Sequence, residues 1–177
     1  MKPTNKKSAF IVSKTLLLMR HAKSSWQDSS LADHDRPLNG RGRDAAKRIG
    51  IQLIESKTAI DLILCSTAVR TRETAALVFA DPATSPPITY QDDLYHASPA
   101  QMIQQLHRLP ESIHTVMVIT HNPGLEEFLL QLTGESAQFP TGALARIDLE
   151  LDTWSQFNRQ TRGQKSFFWL PREMDAD

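Results

Sequence analysis

Apolar residues in this chain form short unbroken runs, which alternate with stretches that repeat apolar residues every three or four positions. An unbroken run without helical period is typical of a buried strand. A different pattern, alternation of apolar and polar side chains, is typical of a half-buried strand and occurs at 143–151. We therefore predict buried strands at 15–19, 60–65 and 115–120, the half-buried strand at 143–151, a short strand at 88–90 and an edge strand at 166–170.

The segments between these strands carry helix signals. Ser98-Pro99 followed by Gln101 combines a hydroxyl cap, a proline at the first helical position and a capping-box glutamine. The long polar segment 24–43, with its Asn39-Gly40 turn signal, is interpreted as a loop. Strands that alternate with helices predict a layered α/β fold. The predicted helices are 44–56, a second from a Ser66 or Thr67 cap to about 80, a third from 98, and a fourth from Asn122-Pro123 to Gly134.

Length, charge and cysteine content narrow the class of protein. The 177 residues suit one domain, and 20 basic residues balance 20 acidic ones. This balance argues against a nucleic-acid or membrane-surface partner, which would favour a basic excess. The apolar runs are far shorter than the roughly 20 residues of a membrane span. The single cysteine, Cys65, cannot form an internal disulfide, so we expect a reducing, cytoplasmic setting.

The ends of the chain differ in composition from its middle. Residues 1–14 contain Lys2, Lys6 and Lys7 and are interpreted as a flexible basic leader, since the apolar run that follows them is too short for a secretory signal. We expect a single domain over 15–171 and a tail over 172–177.

The three buried strands all end in side chains that suit phosphate chemistry. Carboxyl ends of parallel strands meet at one edge of a sheet, so these side chains can converge. Arginines bind phosphate oxygens through paired N–H groups, and a neutral histidine nitrogen can accept a phosphoryl group. The first strand leads to Arg20 and His21, the second to Ser66 and Arg70, and the third to His121 and Asn122.

The motifs at these strand ends resemble those of the histidine phosphatase superfamily. Leu18-Met19-Arg20-His21-Ala22 is similar to its Arg-His-Gly signature, with alanine in place of glycine. The segment 65–74 is similar to its Ser-x-x-x-Arg-x-x-x-Thr segment, and Thr120-His121-Asn122 to its second-histidine segment. Arg36-Pro37-Leu38 and the His121-Asn122-Pro123 turn most resemble the SixA-type phosphohistidine phosphatase branch. The resemblance covers about residues 15–170.

The resemblance implies a phosphoglycerate-mutase-like fold: α/β, with three α/β/α layers, a mostly parallel central sheet, helices on both faces and one antiparallel edge strand. It also implies that His21 attacks phosphorus and becomes phosphohistidine. Arg20, Arg70 and His121 would hold the phosphoryl oxygens until water releases phosphate. Neither a metal nor an organic cofactor is implied. The expected partner is a protein carrying phosphohistidine or a small phosphorylated metabolite.

The chain departs from the family pattern at the proton donor. Many family members carry a glutamate two residues after a leucine, and Leu94-Tyr95-His96 puts His96 in that place. Either His96 is the acid or no dedicated acid is needed. A phosphoramidate, whose leaving nitrogen can already carry its proton, needs none, whereas an alkyl phosphate does. This departure favours phosphohistidine or another activated substrate.

Several other side chains have two interpretations. Lys23 and Arg36 either contact phosphate or lie on a solvated loop, and Asn122 either contacts phosphate or caps its helix. Four residues separate Cys65 from Arg70, one too few for the loop of a cysteine phosphatase, so Cys65 is predicted to be a buried structural residue. Two alternatives to a phosphohistidine phosphatase remain open. These are a general small-molecule phosphomonoesterase and a non-catalytic phosphate-binding regulatory module.

Overall fold

The structure, a computed structural model, describes residues 14–171. The predicted leader apart from Lys14, and the predicted tail, lie outside the described residues. Lys14 itself is the first residue of strand β1 (Lys14–Arg20) and is buried. Its ammonium group donates hydrogen bonds to the carbonyls of Glu111 (2.8 Å) and Ile113 (2.9 Å). The sheet therefore begins one residue inside the segment that we interpreted as leader.

A single six-stranded sheet organises the described residues. From one edge to the other its strands are β3 (Ile88–Gln91), β2 (Leu62–Ser66), β4 (Thr115–Thr120), β1, β5 (Leu144–Leu149) and β6 (Gly163–Trp169). Strands β1 to β4 are parallel, whereas β5 runs antiparallel to β1 and β6 antiparallel to β5. The prediction of a mostly parallel α/β sheet with an antiparallel edge is confirmed.

Helices cover both faces of this sheet. They are α1 (Gly40–Glu55), α2 (Val69–Val78), α3 (Pro99–His107) and α4 (Gly124–Thr133). Leu17 of β1 lies in one apolar core with Ile49 of α1, and Leu18, which points to the opposite face, lies in a second core with Leu106 of α3 and Phe128 of α4. The helix–sheet–helix layers are thus confirmed. None of the described helices is both long and apolar enough to cross a bilayer.

Two helix starts differ from the prediction. The Asn39-Gly40 dipeptide begins α1 instead of forming a turn, because the Asn39 side chain accepts a hydrogen bond from the Gly42 amide (2.8 Å). Helix α2 begins at Val69 after Ala68, without a side-chain cap, so neither Ser66, which belongs to β2, nor Thr67 caps it. The predicted capping box of Ser98 is present.

The sheet order brings the predicted site together. Strands β2, β4 and β1 are adjacent and parallel, so their carboxyl ends lie side by side at one edge. The register aligns Arg20 with Thr120 and Cys65 with Ile119. The residues that follow each strand therefore project toward a common space, as expected for a ligand crevice in an open α/β sheet.

The contact between α1 and α2 provides a test of this packing. A Cβ atom at Gly50 would lie 3.2 Å from the carbonyl carbon of Val78 and closer still to its oxygen. Alanine normally stabilises a helix relative to glycine, but here we expect Gly50→Ala to lower the free energy of unfolding by about 1–3 kcal/mol. Denaturant unfolding measures this change.

Gly40→Ala is the matched control, because a Cβ there would meet no atom within 4 Å. Its unfolding free energy should stay within about 0.5 kcal/mol of the parent value. An unchanged or raised stability for Gly50→Ala would contradict the close approach of α1 to α2.

Candidate active site

A cavity of about 470 Å³ lies at the carboxyl edge of the parallel strands. Its wall includes Arg20, His21, Arg70 and His121, so the structure brings these four side chains together. The other predicted site residues also line it: Lys23, Arg36, His96 and Asn122. The individual contacts show how each of these side chains is held.

His21 directly follows β1 and is almost fully buried, with 7% of its surface exposed. Its Nδ1 lies 2.8 Å from the carbonyl oxygen of Ala22, which can only accept a hydrogen bond, so Nδ1 carries the ring proton. On the other side, Nε2 accepts a hydrogen bond from Nε of Arg70 (3.3 Å). This pair of contacts selects the tautomer in which Nε2 holds the lone pair.

Burial also determines the charge of His21. Desolvation lowers the pKa of this imidazole to about 4, and the cations of Arg70, Arg20 and Arg36 contribute to the shift, whereas the Ala22 carbonyl opposes it. His21 is therefore neutral near neutral pH, and a neutral imidazole nitrogen is a nucleophile.

Arg70 is buried in the first turn of α2 and connects His21 with a loop residue. While its Nε contacts His21, its Nη1 donates to the backbone carbonyl of Asp33 and its Nη2 to Oδ2 of Asp33 (2.8 Å). The guanidinium thus spans the distance between the imidazole and the Asp33 carboxylate.

Asp33 is a site residue that the sequence analysis missed, because it placed this residue in the polar loop. Oδ1 accepts a hydrogen bond from Arg36 (2.8 Å), and Oδ2 accepts from Arg70 and from the Tyr95 hydroxyl (2.7 Å). Burial alone would raise the pKa of Asp33, but the hydrogen bonds from Tyr95, Arg36 and Arg70 outweigh it and hold the pKa well below its usual range. Asp33 is therefore ionised. Its spacing of three residues from Arg36 is the one local signal that pairs it with the site.

His121 follows β4 and lies 5.0 Å from His21, measured between ring centroids. Its Nε2 is 2.8 Å from the Ser66 hydroxyl, and its buried Nδ1 has no hydrogen-bond partner among residues 14–171. Burial lowers the pKa of His121 to about 2, with further contributions from His21 and Arg70. A hydroxyl that donates to Nε2 leaves the proton on Nδ1 as a donor for a ligand. Ser66, which we predicted to cap a helix, instead contacts this ring.

Arg20 ends β1 and offers a second arginine to the cavity. Its Nη1 donates to the carbonyl of Phe139 (2.7 Å), while its buried Nε has no partner in the described part of the chain. Asn122 uses its amide to donate to Glu126 (2.7 Å) and to the Phe139 carbonyl (3.0 Å). Asn122 therefore fixes the segment around Phe139, although it also lines the cavity.

Arg36 and Lys23 occupy different depths in the wall. Arg36 is buried and donates to the Ser25 carbonyl (3.0 Å), the Ser24 hydroxyl (2.6 Å) and Asp33. Its guanidinium stacks 3.1 Å from the ring centre of Trp26. These contacts hold the loop that carries Asp33, whereas Lys23 is exposed at the rim.

His96 lines the cavity next to Asp33, and its neighbour Tyr95 donates a hydrogen bond to Asp33. The His96 side chain is half-exposed, and its Nε2 lies 3.4 Å from Oδ2 of Asp33. Its ring centroid is 5.0 Å from that of His121. Tyr95, whose ring packs edge-on against His121, is a second residue that sequence reasoning did not identify.

The thiol of Cys65 has the structural role that its spacing predicted. Burial raises the pKa of Cys65 to about 12, so the thiol stays protonated. It donates to the Ser66 carbonyl at the end of β2. Among the described residues, no three side chains of His, Cys, Asp or Glu are grouped in a way that could hold a metal ion.

The arginine and histidine side chains described above allow the cavity to hold a tetrahedral anion next to a neutral imidazole nitrogen.

The chain matches the sequence model of the histidine phosphatase superfamily (branch 1) over residues 16–99. It is 37% identical over 138 residues to an uncharacterized protein of Mycobacterium tuberculosis, covering 72% of this chain and 84% of that protein.

Two solved structures of SixA proteins, each described as a candidate phosphohistidine phosphatase, have a similar fold. The protein from Nakamurella multipartitia has a TM-score of 0.78 and 27% identity, with 89% of this chain and 96% of that chain covered. The protein from Agrobacterium tumefaciens has a TM-score of 0.76 and 28% identity, with 89% and 98% covered. With its motifs, its sheet and its relatives in agreement, this chain belongs to the histidine phosphatase superfamily and is of the SixA type.

Proposed function

We propose that this protein removes the phosphoryl group from phosphohistidine in a protein, through a phosphohistidine intermediate on its own His21. Phosphatase activity as such is supported by the superfamily and by the SixA-type relatives. The observation that carries the finer proposal is the state of His21. Its imidazole is neutral, and its hydrogen bonds with the Ala22 carbonyl and the Arg70 guanidinium leave the lone pair on Nε2, beside Arg70 in the wall of the cavity.

The first step is an in-line displacement at phosphorus. Nε2 of His21 forms the new P–N bond while the bond to the leaving group breaks and its electron pair stays on the leaving group. Arg20, Arg70 and Nδ1 of His121 would donate to the phosphoryl oxygens as their charge changes, as preorganised donors do in other transfer sites.

The second step reverses the chemistry at His21. Water forms a P–O bond, the P–Nε2 bond breaks, and the electron pair returns to Nε2. Both protons of the water leave with the product as dihydrogen phosphate. Because Nδ1 keeps its proton and its hydrogen bond to Ala22 throughout, His21 departs from phosphorus as a neutral imidazole. A neutral leaving group is far better than an imidazole anion, so the Ala22 carbonyl contributes to this step as well as to the first.

The groups in the cavity wall that could donate a proton to the leaving group support a substrate with an N–P bond. Of the described residues that line it, Asp33 alone carries a carboxyl group, and this group is ionised. It has no proton to give to an alkoxide. His96, half-exposed beside it, is the remaining proton donor that we propose for substrates in need of one.

The mouth of the cavity supports a protein substrate over a small phosphomonoester. Trp26, with 78% of its surface exposed, and the exposed Lys23 stand at the rim. Trp26 offers a protein that carries phosphohistidine an aromatic contact of the kind enriched at protein interfaces. The complete set of Arg20, His21, Arg70 and His121 argues against a module that binds phosphate without turnover.

The covalent intermediate gives the most direct test of this function. We expect His21→Ala to abolish both phosphate release from phosphohistidine protein and acid-labile labelling of the enzyme, because no other group replaces the Nε2 nucleophile. Rapid quenching followed by mass spectrometry of the intact chain measures the label.

His114→Ala serves as the control, since this histidine is exposed and lies at the opposite end of β4. It should label and turn over like the parent protein. A label that persists in His21→Ala would assign the nucleophile to another residue.

The lowered pKa of His21 predicts an unusual acid limb of the pH profile. The neutral form is the nucleophile, and it persists as pH falls until the pKa of about 4, instead of being lost near the ordinary value of 6.5. We therefore expect kcat/KM, which reports the free enzyme, to fall only as pH approaches about 4 once substrate ionisation is corrected for. An enzyme-derived limb near 6.5 would show that burial does not keep His21 neutral.

A further inference from the structure

We propose that Asp33 is a specificity-determining residue, which favours substrates whose leaving group carries a protonated nitrogen. A phosphorylated imidazole with a proton on its second ring nitrogen is such a substrate. This inference rests on the proposed function, because it concerns the leaving group of the same transfer.

The position of Asp33 follows from the contacts of Arg70. One nitrogen of the guanidinium contacts the nucleophilic Nε2 of His21, and the two others contact Asp33. The guanidinium and its two hydrogen bonds, of 3.3 Å to Nε2 of His21 and 2.8 Å to Oδ2 of Asp33, therefore separate the carboxylate from the nucleophile. The leaving group of an in-line transfer departs on the side away from His21, and we infer that Asp33 meets it there.

The charge of Asp33 requires an explanation in a site for phosphate. A carboxylate repels an incoming phosphoryl dianion and competes with it for Arg70, so it disfavours phosphate binding as such. Two arginines, Arg36 and Arg70, are partly neutralised by this one residue. A substrate that brings a positive charge or a polarised N–H donor to this carboxylate offsets the repulsion.

The carboxylate is fixed and still accessible. Oδ2 is held by Arg70 and Tyr95, with His96 3.4 Å away, whereas the hydrogen bond to Oδ1 comes from Arg36. A carboxylate oxygen can accept two hydrogen bonds, and the Asp33 side chain is 44% exposed. Oδ1 can therefore accept a further N–H donor from a bound substrate.

The chemistry of the step balances without an additional acid. Asp33 accepts a hydrogen bond from the protonated second nitrogen of the substrate ring and so keeps that proton in place. When Nε2 of His21 bonds to phosphorus, the old P–N bond breaks and its electron pair stays on the ring nitrogen. The ring departs as neutral imidazole instead of an anion, with its N–H still directed at Asp33.

Asp33→Asn tests this inference, because it keeps the shape of the side chain and removes its charge. The substrates are phosphoramidate, whose leaving nitrogen is protonated, and 4-nitrophenyl phosphate, whose leaving group needs no proton. We expect the ratio of their kcat/KM values, phosphoramidate over ester, to fall about tenfold or more, as for the loss of a charge-assisted hydrogen bond. The ratio is the readout, and not either rate alone, because Asp33 also holds Arg70. Inorganic phosphate should inhibit more strongly, because an anion has been removed from Arg70.

Two further variants separate this role from a structural one. Asp35→Asn removes a carboxylate from the same short 3-10 helix, Asp33–Asp35, where Asp35 contacts the half-exposed His34. This variant should leave the ratio unchanged. Asp33→Glu keeps the charge and should restore part of the ratio that Asp33→Asn loses.

Equal losses on both substrates, with weaker phosphate inhibition, would show that Asp33 only supports Arg70 and would overturn the inference. An unchanged ratio in Asp33→Asn would also overturn it, while turnover through labelled His21 would leave the proposed function intact. A parent protein that hydrolyses neither phosphoramidate nor phosphohistidine would overturn the proposed function and the inference with it.

Discussion

The buried guanidinium of Arg70 is the interaction on which this site depends. It holds Nε2 of His21 from one side and both the carbonyl and the carboxylate of Asp33 from the other. Strand β1, helix α2 and the loop before α1 must therefore dock together before the nucleophile is oriented. Since Arg70 is 3% exposed, water cannot replace a lost partner cheaply. A neutral side chain at this position would leave Nε2 of His21 without its donor, and the Asp33 carboxylate with Arg36 as its remaining arginine partner.

Burial favours the neutral form of both site histidines, in contrast to histidines at a protein surface. His21 and His121 lie under the loops that follow β1 and β4, among several arginines, and both conditions disfavour a charged ring. The same burial leaves Nδ1 of His121 and Nε of Arg20 without partners among the described residues. Unpaired buried donors are costly in a folded protein, and they are also the groups that a phosphoryl anion would satisfy. A bound phosphoryl anion would therefore form hydrogen bonds that these donors lack in the unliganded site.

The parts of this arrangement that the sequence predicts are those with a local physical signature. A fully buried strand requires an uninterrupted apolar run, so β1, β2 and β4 were predictable, and parallel neighbours place Arg20, His21 and His121 at one edge. The family motifs then indicated the chemistry. The Asn39 cap of α1 was misread because asparagine before glycine is typical of both a turn and a helix start.

The contacts that the sequence did not predict join residues far apart in the chain. Arg70 and Asp33 are separated by 37 positions, His121 and Ser66 by 55, and Tyr95 and Asp33 by 62. Neither hydrophobic periodicity nor a helix-capping residue indicates such pairs. Each pair forms only when loops from different strands meet at the edge of the sheet.

The central claim, that folding holds His21 as a neutral imidazole with its lone pair on Nε2, is tested most directly by ¹⁵N NMR of the histidine rings in the unliganded protein near neutral pH. The account predicts that Nδ1 of His21 is protonated, as its bond to Ala22 requires, and that Nε2 has the shift of an unprotonated ring nitrogen. A His21 ring protonated at both nitrogens, or at Nε2 alone, would contradict it.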